Sequence, residues 1–442
     1  MIYKNELIES VKYKVIAVNV SPVSIKDGED NIKIDEFTGK AYIPGSSIAG
    51  AFRNFYENNI DKNSNEDNNV LFGGKKSGMS SIVFYDAYFS DTSNKEAEVM
   101  SSRPGIKIDR ERLTGKTFTG RKISGSKFER QFLNEGTNFI FKFELNNYRG
   151  SFEFEKMKED FEELLKAFLH GEISLGSNKM IGYGRFKGEK IIKRLTNFKK
   201  IEDILNYLLK EDGEKIDITN NITDGKYISS KVQFKIKAKT LTPILIKDEI
   251  VRLSDEADSI NIKNAEGKEI IPGSSLKGAL RTRSEKISKT FPQITEETIS
   301  NIFGIESKDD KGHISRFNCF DTEFKNVKKG IYNKIKIDYF SGGVTKGGMM
   351  QEETIMGNLE LICTLDKSNL EDYKKEVGLL LLVLRDLCIG NLSLGSGYAV
   401  GRGFLKAESL ELFDNEKLVY NFDSPDKEVE NKFNLYISEL MK

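Results

Sequence analysis

DSINIKNAEGKEIIPGSSLKGALR, residues 258–281, repeats DNIKIDEFTGKAYIPGSSIAGAFR, residues 30–53, at an offset of 228. Both end in the string IPGSS-x-x-G-A-x-R. Upstream, VKYKVIAVNVSPVSIKD (11–27) is answered by VQFKIKAKTLTPILIKD (232–248) at an offset of 221. Downstream, GEISLGSNKMIGYGRF (171–186) is answered by GNLSLGSGYAVGRGFL (390–405) at an offset of 219. Phe72-Gly73 pairs with Phe303-Gly304, and IKID at 106–109 with IKID at 335–338. Matches in one order describe a duplicated module. The expected domains are 1–226 and 227–442, joined through the polar stretch 211–231, with changes of offset falling in loops.

Each copy opens with a strand. Val11, Tyr13, Val15 and Ala17 alternate with mostly polar residues, as do Val232, Phe234, Ile236 and Ala238. That period of two gives one buried face. Pro22 and Pro243 stand where those strands should end. After IPGSS, Ile48, Ala51, Phe52, Phe55 and Tyr56 share one helical face. A second apolar helix is expected at 161–169 and 378–388, just before each glycine-rich end, and a further amphipathic helix at 201–209. Strand–helix–strand–strand–helix–strand is the ferredoxin-like order. The fold class is therefore α+β, two tandem ferredoxin-like or RRM-like domains, each with a long insertion.

Three features carry chemistry. Ser46 or Ser47, and Ser274 or Ser275, can act as helix N-caps, and a helix start with free N–H groups attracts anions. Arg53 and Arg281 lie on the following turns. Lys179, Arg185 and Arg402 flank the glycine-rich ends, which are either tight turns or backbone laid along phosphates. These ends do not open a βαβ unit, so they are not a dinucleotide fingerprint, and FGGKKSG (72–78) lacks Walker spacing.

Residues 101–130 hold nine Lys/Arg against three acids, with Lys107, Arg110, Arg121 and Lys122 among them. In a chain of 442 residues with 68 basic and 68 acidic side chains, that excess reads as a local arm over a polyanion. Its counterpart, KIKIDYFSGGVTKGGMMQEE (334–353), is less basic and carries Met349 and Met350 on a glycine-rich tip able to wedge between bases. Lys277, Arg283, Lys336 and Lys346 complete the candidate contacts of the second copy.

Composition excludes other classes. Hydrophobic residues at 38% and charged residues at 31% suit a soluble globular chain. Three scattered cysteines make neither a disulfide framework nor a cysteine zinc site. His170 and His313 are the only histidines, which leaves little for histidine catalysis. Residues 1–14 lack the apolar stretch of a signal peptide, and the longest apolar run, 379–384, is too short for a bilayer. A cytoplasmic protein without a membrane partner is expected.

Together, the IPGSS helix start, the acid-bearing loop before it, the FG dipeptide, the insertion beginning near IKID and the terminal glycine loop resemble the RAMP superfamily. More narrowly they resemble the backbone subunits of type III CRISPR–Cas effector complexes, and a fused tandem is similar to the type III-D branch. The resemblance implies that each domain grips CRISPR guide RNA along a palm and inserts its "thumb" into the guide–target duplex. It also implies that an acid in the loop after the first strand cleaves target RNA with a divalent metal, Mg²⁺ being expected. By position those acids are Asp30 and Asp258. The first copy reads EDNIKID, so Glu29 or Asp35 can stand in for Asp30, or that site can be inactive. The implied partners are guide RNA, target RNA and other effector subunits.

Other readings are a guide-binding scaffold with inert loops, a precursor-processing endoribonuclease, or a ligand-binding protein unrelated to nucleic acid. Processing nucleases lean on histidine or lysine, and neither His170 nor His313 recurs between copies. A ligand-binding protein leaves the basic arm unexplained.

Overall fold

The computed structural model describes residues 6–28, 31–61, 69–75, 78–89, 100–106, 108, 127–148, 153–209, 215–223, 227, 229–248, 257–305, 312–367 and 373–442. Two compact units emerge, one from Met1–Ser102, Arg130–Lys179 and Tyr183–Ser230, the other from Arg103–Glu129, Met180–Gly182 and Lys231–Lys442.

In the first unit β1 (Glu9–Asn19) leads through β2 (Tyr42–Ile43) into helix α1 (Gly45–Phe55). The short strands β3 (Ile82–Phe84) and β4 (Ala87–Phe89) follow, then β5 (Met100–Ile106) and β6 (Lys127–Leu133), whose residues divide between the two units, and β7 (Asn138–Asn147). Helix α2 (Glu153–Leu169), β8 (Phe186–Asn197), α3 (Ile201–Leu209), β9 (Lys215–Asp217) and a single helical turn, Thr219–Thr223, complete it. The sheet runs β2-β4-β7-β1-β8-β9, with β1 antiparallel to both β7 and β8. Counting β1, β4, β7 and β8 as strands one to four, the order 4-1-3-2 is that of the ferredoxin-like fold. β5 and β6 pair as a separate two-stranded ribbon.

The second unit repeats the plan. β10 (Lys231–Thr240) is followed by β11 (Ile270–Ile271), α4 (Gly273–Ser288) and α5 (Glu296–Phe303). Then come β12 (Phe317–Cys319), β13 (Thr322–Glu323) and the long pair β14 (Lys325–Ile337) and β15 (Val344–Asp366). Helix α6 (Tyr373–Cys388), β16 (Leu405–Asp414), β17 (Glu416–Asn421) and α7 (Lys427–Leu440) end the unit. Its sheet order, β12-β15-β10-β16-β17, contains the same 4-1-3-2 core.

The two units agree down to their irregularities. β1 and β8 shift register between Ile16 and Ala17, and β10 and β16 between Lys237 and Ala238. Those positions differ by 221, the offset read from the strands. In each unit the alternating apolar face of the first strand is sealed by two helices. Val11, Tyr13, Val15 and Ala17 are buried with Phe52 of α1 and Phe161 and Phe168 of α2. Val232, Phe234, Ile236 and Ala238 are buried with Leu276 and Leu280 of α4 and Leu380 and Leu384 of α6. The first core is rich in edge-to-face phenylalanines, for example Phe141 against Phe168 at 5.1 Å. The second relies on leucine and isoleucine.

Helix α3 occupies the expected residues 201–209, but Ile201, Leu205, Leu208 and Leu209 are exposed. No described helix is long and apolar enough to cross a membrane.

Candidate nucleic-acid interface

The IPGSS helices do not use their serines as caps. The N-cap is Pro44 in α1 and Pro272 in α4, and neither has a side-chain cap bond. The first N–H of each helix goes instead to a distant carboxylate. Gly45 N donates to Asp86 Oδ1 at 2.7 Å, and Gly273 N to Asp321 Oδ1 at 2.8 Å. The expected N-cap role of Ser46, Ser47, Ser274 and Ser275 is thereby corrected. An acidic side chain already satisfies the positive helix end. Glycine is required there by space: a Cβ on Gly45 would strike the carbonyl oxygen of Phe84, and one on Gly273 that of Cys319. Ser46 and Ser47 remain exposed, while Ser274 and Ser275 are partly so.

The cations on these helices are also engaged. Arg53 Nε donates to Glu57 at 2.8 Å, and Arg281 Nε to Glu285 at 3.2 Å, the same i,i+4 pair in both copies. Arg283 bonds Asp386 of α6 at 2.6 Å. Lys277 turns inward, donating to Ser315 Oγ at 2.6 Å and to the Phe317 carbonyl at 2.7 Å. Burial pulls its pKa down to about 8. For Lys277 and Arg283 the structure thus gives an internal role in place of the expected outward contact.

The glycine-rich ends are pinned to the segment after the first strand. Gly184 N donates to the Pro22 carbonyl and Gly403 N to that of Pro243, at 2.8 and 2.9 Å. Both glycines have positive φ, and a Cβ on either would collide with the carbonyl oxygen of Leu175 or Leu394. Close backbone packing accounts for these two glycines. Lys179 is exposed on this turn. Arg185 is half-buried beside Gly171, lining a cleft of about 290 Å³ with His170 and Lys187. Arg402 is held inside the second unit.

That unit brings together what the chain keeps far apart. Asp258 is exposed, and its Oδ2 accepts the N–H of Gln351, in β15, at 2.7 Å. Ser259 N donates to the Gln351 carbonyl at 3.1 Å and Glu353 N to the Ser259 carbonyl at 2.8 Å. The acid loop is therefore stitched to the root of the β14–β15 thumb. Next to this seam, Glu352 is only 4% exposed and receives three cations. Lys334 reaches it at 2.6 Å, Arg402 at 2.7 Å and Lys247 at 2.9 Å. Burial opposes ionisation of Glu352, but these hydrogen bonds outweigh it and hold the carboxyl at about 2. Arg402 also stacks on Tyr332 of β14 at 4.5 Å. Glu352, Lys247 and Lys334 escaped sequence reasoning. The only signal was a run of acids after the methionine tip.

Beyond the seam the thumb is open. Lys336, Lys346 and Met349 are exposed, and at its turn Tyr339 and Phe340 are 93% and 94% exposed. Asp338 holds that turn by accepting the N–H groups of Phe340 and Ser341. Asp30, Glu29, Lys107, Arg110, Arg121 and Lys122 lie outside the described residues. Asp35 is spent on its own loop, accepting from Phe37 N, Thr38 N and the Tyr88 hydroxyl, and these bonds, Tyr88 first, lower its pKa.

Among the described residues no group of three or more His, Cys, Asp or Glu side chains is placed to hold a metal ion. Asp258 offers its second oxygen. Asp255 and Glu256 fall outside the described residues. A single carboxylate suits Mg²⁺ when substrate oxygens and water supply the other ligands. His170 stacks on Tyr227 at 5.3 Å, with Nδ1 2.8 Å from the Lys166 carbonyl, and His313 bridges Ile305 through backbone.

The family model described as the RAMP superfamily matches residues 18–187 and again residues 237–406. No curated protein matches the chain.

Proposed function

From the chain's membership in the RAMP superfamily, to which it belongs by a match over most of its length, we propose that it is a guide-RNA-binding backbone subunit of a type III CRISPR effector complex, of type III-D-like fused architecture, and that its second unit also cleaves target RNA. The observation that carries the second part is the exposed carboxylate of Asp258, bonded to the base of a thumb whose tip presents Tyr339 and Phe340 to solvent. An apolar tip of this kind can part stacked bases. A carboxylate fixed at its root then faces the backbone of the parted strand.

Recognition of RNA by such a subunit rests on phosphate and 2′-OH contacts, with sequence read by base pairing. Exposed Lys179, Lys336 and Lys346 are among the described cations available for phosphates. Asp258, with RNA oxygens and water, would hold Mg²⁺, which supplies activation of the attacking 2′-OH and stabilises the departing oxygen. Membership alone fits a pure scaffold equally well, so the Asp258 test decides.

Assembly of the full chain with a guide RNA, followed by addition of complementary labelled RNA, gives that test. Asp258→Ala is expected to slow cutting at least 100-fold without changing guide affinity, and chelation of Mg²⁺ to do the same in the wild type. Wild-type cutting by Asp258→Ala would leave a guide-binding scaffold.

A further inference from the structure

The duplication supplies an internal control for the charge cluster around Glu352. Val23 and Leu133 exchange backbone bonds in the first unit as Ile244 and Ile355 do in the second. Counting three residues back from Leu133 and from Ile355 places Arg130 opposite Glu352. In the matched glycine loops Tyr183 stands opposite Arg402. Lys26 matches Lys247. A carboxylate ringed by cations is thus replaced by a cation and an aromatic residue. The framework of the fold does not need the cluster, since the first unit builds the same sheet without it.

The cluster joins three separate elements: the acid loop through Lys247, the far strand of the thumb through Lys334, and the glycine loop through Arg402. All three meet on the residue that follows Gln351, whose N–H holds Asp258. One negative charge against three positive ones leaves two positive charges over. Lys247 and Lys334 stay 43% and 38% exposed, so each keeps donors for an outside anion.

We propose that Glu352 is a positioning residue for RNA cleavage in the second unit, aligning Lys247, Lys334 and Arg402 so that a phosphodiester seated on them lies at a fixed distance from Asp258. This rests on the nuclease reading above. Glu352 touches no substrate. It acts through the strand that carries the Asp258 bond and through the cations it orients. A buried charge ringed by donors resists rotation, since any departure leaves it unpaired in a poorly solvated place.

Four full-length proteins assembled with guide RNA test it: wild type, Asp258→Ala, Glu352→Gln and Glu360→Gln. Glu360, on the same strand as Glu352, pairs with Lys235 of β10, 3.0 Å away, and serves as the structural control. Expected for Glu352→Gln is single-turnover cutting at least tenfold slower at saturating target. Target affinity should stay within twofold, the Mg²⁺ requirement should rise, and the Ser259 and Glu353 amides should exchange faster. Glu360→Gln should match the wild type. Wild-type cutting and metal requirement in Glu352→Gln, with Asp258→Ala inactive, would overturn this inference alone. Wild-type cutting in Asp258→Ala would overturn the nuclease reading, and unchanged exchange at Ser259 would overturn the positioning role independently. If Glu352→Gln does not fold, Lys247→Met removes one arm of the cluster. It should slow cutting in the same direction, and wild-type cutting there would overturn the inference.

Discussion

Arg283 on α4 donates to Asp386 on α6 at 2.6 Å, where the first unit has buried Phe55 and Ala167 at the matching positions. The same helix junction is closed by an ion pair in one copy and by apolar packing in the other. Removing Arg283 alone strands a carboxylate that is only 8% exposed. Arg283→Ala should therefore cost about 1–3 kcal/mol of stability and leave guide-RNA affinity unchanged. Replacing both, Arg283→Phe with Asp386→Ala, should recover part of that loss, as buried pairs often exchange for apolar residues at little cost. Denaturant unfolding alongside a guide-binding isotherm reads both outcomes.

The carboxylate that receives the Gly45 N–H gives a second prediction. Asp86→Ala frees the first donor of α1 and removes a negative charge from its positive end. The expected loss is about 1 kcal/mol. Ser46→Ala and Ser47→Ala should each change stability by far less, because neither side chain caps the helix. Equal losses in all three variants would contradict this assignment.

Acid stability should depend on Glu352. Its carboxyl is held at about 2 against an ordinary value of 4.5. A depressed carboxyl stabilises the fold fully above pH 4.5, and that contribution drains away as the pH falls towards 2. Glu352→Gln should lower the melting temperature at neutral pH and flatten its decline between pH 4.5 and 2. Parallel pH profiles for the two proteins would show that the cation cluster does not contribute.

The exposed thumb lysines should reveal themselves through salt. Lys336→Ala and Lys346→Ala should each reduce the slope of log affinity against log salt by about 0.7 for single-stranded RNA. Lys277→Ala should lower stability and leave that slope alone, because its ammonium is bonded within the protein.

Much of the architecture was legible because period-two strands and the IPGSS helices are local patterns, and because each occurs twice. Helix 201–209, which has no matched copy, was legible from its local apolar periodicity alone. The capping carboxylates were not. Asp86 lies 41 residues from Gly45 and Asp321 lies 48 from Gly273, so only folding brings them to the helix ends. The pairing of Arg53 with Glu57 and of Arg281 with Glu285 was readable from i,i+4 spacing, and it competes with the phosphate role given to those arginines. The Glu352 cluster draws on residues 247, 334 and 402, a combination no linear spacing announces. Of the two candidate acids, Asp258 is placed at a thumb root, while Asp30 lies outside the described residues.

The register shift shared by the two units has a further consequence. In β8 and in β16 one glutamate, Glu189 or Glu408, is the extra residue that sets the strand out of step with its neighbour. Deleting it would make the alternation regular, with Phe186 or Leu405 still on the core face, and would take away the bend that aims the attached glycine loop. Both halves keep this kink at one position although most surrounding side chains have changed. The bend is therefore an heirloom: the ancestral gene already carried it when it was copied, and every later alteration has had to be built around it.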